Sequence, residues 1–216
     1  MTSGFLNTYV LDTNAIINLY LLELGGKKVL DKIPVVYIPE KVRQELYRVI
    51  RRENIDDLYS YCLSRPNVKM IPTSEFSQCV NFTKFWIKSK HHFNPLDEGE
   101  LQCLALSLLL SRKNKFFIAL VTEENTETVE IIREFMALQR VGVVLSPIEL
   151  MISLYCRERI IKENQIKRAI REYQLRLKRK KGDFGDIDEM LADLCRKKGI
   201  SKNLCSQECF SSSDSF

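Results

Sequence analysis

No apolar run in the 216-residue chain reaches the roughly 18 residues that a membrane-spanning helix requires, which excludes a membrane protein. Met1 to Asn7 hold no basic side chain ahead of the first apolar stretch, so no secretory signal is expected. Seven cysteines, an odd number without paired-motif spacing, argue against a disulfide scaffold and for a reducing cytoplasm. Eight glycines and six prolines are too few for a collagen-like or low-complexity chain. Neither common Gly-rich phosphate loop occurs, so nucleoside triphosphate hydrolysis is unsupported. No Gly-x-Ser-x-Gly turn is present, and a Ser-His-Asp triad would have to use His91 or His92, the only histidines. With 45% hydrophobic and 28% charged residues, the chain is long enough to bury a core without cross-links.

Short apolar runs alternate with helical patterns along the first 145 residues. Tyr9-Val10-Leu11 reads as a buried strand stopping at Asp12, and Thr13 to Leu24 has helical spacing ended by Gly25-Gly26. Val35 to Ile38 is a second strand, and Pro39 opens a helix reaching about Cys62. Val68 to Ile71 is a third strand, followed by a helix over Ser74 to Lys90 with Phe76, Val80, Phe85 and Trp86 available for packing. Asp97 is an N-cap for a helix carrying Leu101, Leu104, Ala105 and Leu108 on one face. Phe116 to Val121, Glu124 to Leu138 and Val141 to Leu145 complete the series as strand, helix, strand. This alternation predicts an α/β protein with a five-stranded, mainly parallel sheet covered on both faces. After Pro147 only helical patterns remain: 148–155, 160–181 and 187–197, then a Cys- and Ser-rich tail from Ser201 expected to be disordered. The expected organisation is a domain over 1–155, a basic helical extension over 156–200 and the tail over 201–216.

The charge is unevenly placed. Residues 157–181 hold 11 Lys or Arg against 3 Glu, a local balance of +8 in a chain whose formal net charge is +5. Ile166, Ile170, Tyr173 and Leu177 form an apolar stripe on this helix, with Arg168, Arg171 and Arg179 opposite. The run ends in Lys178-Arg179-Lys180-Lys181 with no acidic neighbour. A basic surface of this size on a mildly acidic body fits a polyanion, with a merely solvated helix face as the plain alternative.

Carboxylates recur where parallel sheets bind ligands, just past the carboxyl ends of strands. Asp12 follows the first strand, Glu123 and Glu124 the fourth; Glu45 lies in the helix after the second, and Asp97, Glu98 and Glu100 open the helix leading to the fourth. Singly, each has a structural explanation: Asp97 as a cap, Glu45 as a surface pair with Arg48 or Arg52. Brought together, carboxylates about 5 Å apart repel by roughly 3 kcal/mol per pair at an effective dielectric of 20, so a cluster needs a proton or a cation. Oxygen ligands without clustered His or Cys favour Mg²⁺ or Mn²⁺, which suits attack of an activated water on a phosphodiester.

The sequence resembles the PIN-domain nucleases, including the VapC kind. The resemblance rests on Tyr9-Val10-Leu11-Asp12-Thr13-Asn14, Ile38-Pro39-Glu40-Lys41-Val42-Arg43-Gln44-Glu45-Leu46, Leu96-Asp97-Glu98-Gly99-Glu100 and Leu120-Val121-Thr122-Glu123-Glu124, in the family's order. Val141-Gly142-Val143-Val144 falls where that family has its final strand. The resemblance implies a Rossmann-like three-layer α/β/α sandwich and a Mg²⁺- or Mn²⁺-dependent endoribonuclease acting on RNA. By position it makes Asp12, Glu45, Glu100 and Glu123 the catalytic metal ligands, with Asp97 and Glu124 as accessory acids and Thr13, Asn14 and Thr122 in support. Glu123 stands where most relatives have Asp, so either Glu123 or Glu124 completes the set. Homodimers and a neutralising antitoxin-like protein partner are further implications, and some sixty residues beyond the usual toxin length add the basic helix as an RNA grip through Arg168, Arg171, Lys178, Arg179, Lys180 and Lys181. Two alternatives stay open: an inactive RNA- or protein-binding module on the same scaffold, and a metal-dependent phosphatase for small substrates. A zinc site from His91, His92, Cys195, Cys205 and Cys209 lacks a close Cys pair; Cys62, Cys79, Cys103 and Cys156 read as core residues.

Overall fold

The computed structural model of the protein describes residues 8–53, 57–92, 95–114, 117–123, 126–157 and 163–181. These fall into two compact units, within Met1–Leu21 and Leu30–Pro147 for the first and within Leu22–Val29 and Ile148–Phe216 for the second.

The first unit is α/β. Its elements in chain order are β1 (Thr8–Leu11), α1 (Thr13–Leu21) and, after the first segment of the second unit, β4 (Val36–Pro39), α2 (Glu40–Glu53), α3 (Leu58–Ser64) and β5 (Val68–Ile71). They continue with α4 (Ser77–His91), α5 (Glu98–Asn114), β6 (Ile118–Val121), α6 (Thr126–Leu138) and β7 (Gly142–Leu145). The five strands lie in the order β5-β4-β1-β6-β7, and every neighbouring pair is parallel. Connections run outward from β1 to β5, then back from β5 to β7, and right-handed crossovers therefore place helices on opposite faces. The result is a Rossmann-like three-layer sandwich.

The central strands β1 and β6 are four residues long and buried throughout. All four residues of β1 and of β6 are inaccessible, as expected of strands covered on both faces. Helix α5 is likewise buried on most sides, Gly99 through Leu108 without interruption, and it contacts β4, β1 and β6. At the start of β7, a Cβ on Gly142 would stand 1.8 Å from the Ile118 carbonyl oxygen, so only glycine permits this strand pairing. Phe76 and Val80 pack inside, but Phe85 is 74% exposed, against the sequence expectation, because α4 turns that side to solvent while Trp86 meets Phe135 edge-on at 5.1 Å.

The second unit holds the antiparallel pair β2 (Glu23–Leu24) and β3 (Lys27–Lys28), then α7 (Pro147–Arg157), which starts at the unit boundary, and α8 (Glu163–Lys181). The sequence pattern extends α1 to Leu24, whereas the helix ends at Leu21. Gly25 and Gly26, with φ of 62° and 74°, make a two-residue hairpin turn rather than a helix stop. Helix α8 packs on β2 through the expected stripe: Ile166, Ile170 and Tyr173 are buried, while Arg168 and Arg171 are exposed. The side chains of Leu177, Lys178, Arg179, Lys180 and Lys181, the expected helix at 187–197 and the tail from 201 lie outside the described residues. No helix among the described residues is long and apolar enough to cross a membrane.

Candidate functional site

Leu11 pairs with Val121 in the parallel ladder, so the residues that follow each strand emerge side by side. The chain leaves β1 and β6 in opposite directions across the sheet, which makes their carboxyl ends the crevice where open α/β sheets bind ligands. Asp12 occupies it, only 5% exposed. One of its carboxylate oxygens, Oδ1, accepts the Ala15 N–H at 2.6 Å, so Asp12 caps α1. The other, Oδ2, accepts the Thr122 hydroxyl and, at 3.3 Å, the Glu123 N–H. A carboxylate held by two backbone amides and a hydroxyl has little freedom to rotate.

Thr13, the next residue, donates its hydroxyl to Glu45 Oε2 at 2.5 Å. Glu45 stands in the second turn of α2, half-buried. Burial pushes its carboxyl above the ordinary range; the Thr13 hydrogen bond opposes this and the charge of Asp97 adds to it. Both Glu45 oxygens lie 2.9 Å from where a Cβ on Gly99 would stand, so this carboxylate rests against the first turn of α5.

That turn carries the third acid. The Glu100 N–H donates to Asp97 Oδ1 at 2.8 Å, and the Asp97 N–H donates to Glu100 Oε2 at 2.9 Å. This reciprocal pair is a capping box, and it confirms the sequence expectation of Asp97 as N-cap. Cys103, one turn further, is fully buried with its thiol 3.6 Å from the Leu11 carbonyl oxygen. Its ionisation is opposed first by burial and then by the charges of Asp12, Glu45, Asp97 and Glu100. The Thr13–Glu45 bond and the seat of Glu45 against Gly99 thus bring together three sequence-distant segments, those of Asp12, of Glu45 and of the Asp97–Glu100 turn.

Glu123 takes another course. Its N–H serves Asp12, but its carboxylate accepts from the Asn18 side-chain amide on α1. Asn14 is exposed on the first turn of the same helix, and Glu124 lies outside the described residues. Asn18 carries no sequence signal of its own beyond a spacing of four from Asn14, which puts it on the same helical face.

Gln102 is a second such residue. Buried on α5, its Oε1 accepts the Lys41 N–H at 3.2 Å and the Thr73 hydroxyl at 3.0 Å, and its amide donates to Glu98 at 3.3 Å. It ties the start of α2, which carries Glu45, to α5, which carries Glu100. Nearby, the Thr73 N–H donates to Glu40 at 3.0 Å and lowers that carboxyl. A lone Gln in an apolar helix gives no sequence sign of such a role.

Comparisons with protein-family models, curated proteins and solved structures return no match.

The donor set is all oxygen, the chemistry of a hard divalent cation. Among the described residues no three His, Cys, Asp or Glu side chains stand as a ready coordination shell. The hydrogen bonds above give one physical reason: each carboxylate is turned toward protein donors. His91, 3.4 Å from Glu134, and exposed His92 form no zinc group with described residues, and Cys195, Cys205 and Cys209 lie outside them. Cys62, Cys79 and Cys103 are free thiols; burial raises all three, Cys62 to about 11.

Proposed function

We propose that this chain is a PIN-like, metal-dependent endoribonuclease, with Asp12, Glu45 and Glu100 holding Mg²⁺ or Mn²⁺ and Asp97 beside them. The observation that carries this reading is the chain of contacts at the carboxyl ends of the central strands: Thr13, next to Asp12, bonds Glu45, and Glu45 rests against Gly99 in the turn that carries Asp97 and Glu100. A bound divalent cation would supply an activated water and charge stabilisation for phosphodiester hydrolysis. The protein's part is to keep negative oxygens in fixed places. Thr122 and the Ala15 and Glu123 amides orient Asp12, Thr13 orients Glu45, and the Asp97 amide orients Glu100. Exposed Arg168 and Arg171 on α8 supply cations for RNA phosphates, with Lys178, Arg179, Lys180 and Lys181 further along the helix. Free thiols fit a reducing cytoplasm. Self-association and a neutralising protein partner belong to the same proposal.

The deciding measurement is cleavage of an RNA oligomer with Mn²⁺ by the wild-type protein and by Asp12→Asn. Asparagine is an equally good N-cap and keeps the acceptor for the Ala15 N–H, at the cost of the acceptor for the Glu123 N–H, so the fold should hold with some loss of stability while cleavage falls by at least the roughly 10²- to 10³-fold that one lost electrostatic contact costs in an active site. Full cleavage by the variant refutes the proposal. The bond from Asn18 to Glu123 favours a second reading, a binding module in which the fourth acid is structural. Salt-sensitive RNA binding without cleavage would select it.

A further inference from the structure

The geometry points to Gly99 as a positioning residue: its missing side chain is what allows the Glu45 carboxylate to seat against the first turn of α5, beside Glu100. This rests on the nuclease proposal for its functional meaning, but not for its steric basis. A Cβ at position 99 would stand 2.9 Å from both Glu45 oxygens and 3.2 Å from Glu45 Cδ, and those are the three nearest atoms it would meet. Contacts under 3.0 Å are not tolerated by packed atoms, so something must move. The obstruction is the far end of a flexible side chain, not backbone, so the helix can accept alanine while Glu45 gives way.

Local propensity sharpens the point. Alanine is the better helix former, and Gly99, the second residue of α5, has an ordinary negative φ, where glycine confers no backbone advantage. Its presence is therefore explained by what rests on it. The displaced carboxylate would also leave the Thr13 hydroxyl, its partner at 2.5 Å, and so detach from the turn that carries Asp12.

The test uses the full chain and two readouts. First, a crystal structure of metal-free Gly99→Ala should show the Glu45 carboxylate moved and the Thr13–Glu45 hydrogen bond broken, with the melting temperature unchanged or raised. A retained bond, or a variant that fails to fold, overturns the inference. Second, Mn²⁺ binding by calorimetry should weaken by about 10- to 100-fold in Gly99→Ala, the scale on which lost ligand orientation acts. Glu45→Asp withdraws the carboxylate by one bond, about 1.5 Å. It should weaken Mn²⁺ binding alone yet restore part of it in Gly99→Ala/Glu45→Asp, a reversal of sign that a general helix effect would not produce. Undiminished Mn²⁺ binding by Gly99→Ala overturns the inference. A wild-type protein that binds no Mn²⁺ overturns the nuclease proposal instead, and the crystal structure then decides the positioning of Glu45 by itself.

Discussion

The acidic edge of the sheet and the basic helix α8 carry opposite charge by opposite means. At the edge, each acid is tied to a neighbour: Asp12 to the amides of Ala15 and Glu123, Glu45 to Thr13, Glu100 to the Asp97 amide. On α8, Arg168 has a side chain 82% exposed and pairs with Glu172 one turn along at 3.0 Å. Under the proposed function, position is stringent in the first case because developing charge is stabilised only by groups already in place. It is lax in the second, because phosphate neutralisation depends mainly on the number of cations. Under the proposed function, chemistry would be drawn from side chains anchored in the core and grip from side chains left in water.

That contrast can be broken most sharply at Glu100. Its capping role and its proposed ligand role separate in Glu100→Gln, since Gln also closes a capping box. We expect unchanged thermal unfolding and a loss of cleavage of about 10²- to 10³-fold. If cleavage survives, Glu100 is only a cap. On the basic side, neutralising Arg168 and Arg171 together should lower the salt slope of single-stranded RNA binding by about 1.4, or 0.7 per cation. The affinity lost between 50 and 200 mM salt then shrinks by about sevenfold relative to the wild type. An unchanged slope, measured by fluorescence anisotropy, would remove α8 from the interface.

Much of this edge was legible in advance because parallel strands betray themselves as short apolar runs, and Asp12, Glu123 and Asp97 each sit where such a run stops or a helix begins. The α/β class followed from that alternation. The hairpin at residues 23–28 did not, because Leu24 falls at helical spacing from Tyr20 and Gly25-Gly26 serves equally as a helix stop or a two-residue turn. Pairing with Lys27-Lys28 decides between them, and pairing is not local information. Asn18 and Gln102 escaped for a related reason: a polar residue on a helix looks the same whether it faces solvent or holds a neighbour. The orientation of Glu123 was equally hidden, since its extra methylene permits several directions and only Asn18 selects one.

Asn18 gives a smaller effect that tests the fourth acid. Asn18→Ala frees the Glu123 carboxylate from its amide donor without touching Asp12. A hydrogen bond to a charged group is worth about 1.5–3 kcal/mol when buried and less in this partly exposed place, so cleavage should change by less than about tenfold. A loss as large as that of Asp12→Asn would make Glu123 an essential member of the centre rather than its edge.

The smallest effect concerns stability, and it sets Glu45 apart from exposed charges such as those of α8. Burial raises the Glu45 carboxyl in the folded state, so the folded protein holds that proton to higher pH than the unfolded chain does. Its contribution to stability is therefore complete below the ordinary value of 4.5 and is lost as pH rises through the folded value, because the ionised form is disfavoured by burial. Glu45→Gln removes that cost while keeping an acceptor for Thr13. At pH 7 the variant should be more stable than the wild type, by at most about 1 kcal/mol once solvent screening of a half-exposed group is allowed for. The advantage should disappear as pH falls below 4.5. The same substitution should abolish metal-dependent cleavage. Under the proposed function Glu45 costs stability at the pH where it would work, as groups kept for function do, and a Glu45→Gln protein less stable at pH 7 than the wild type would make Glu45 a structural residue instead.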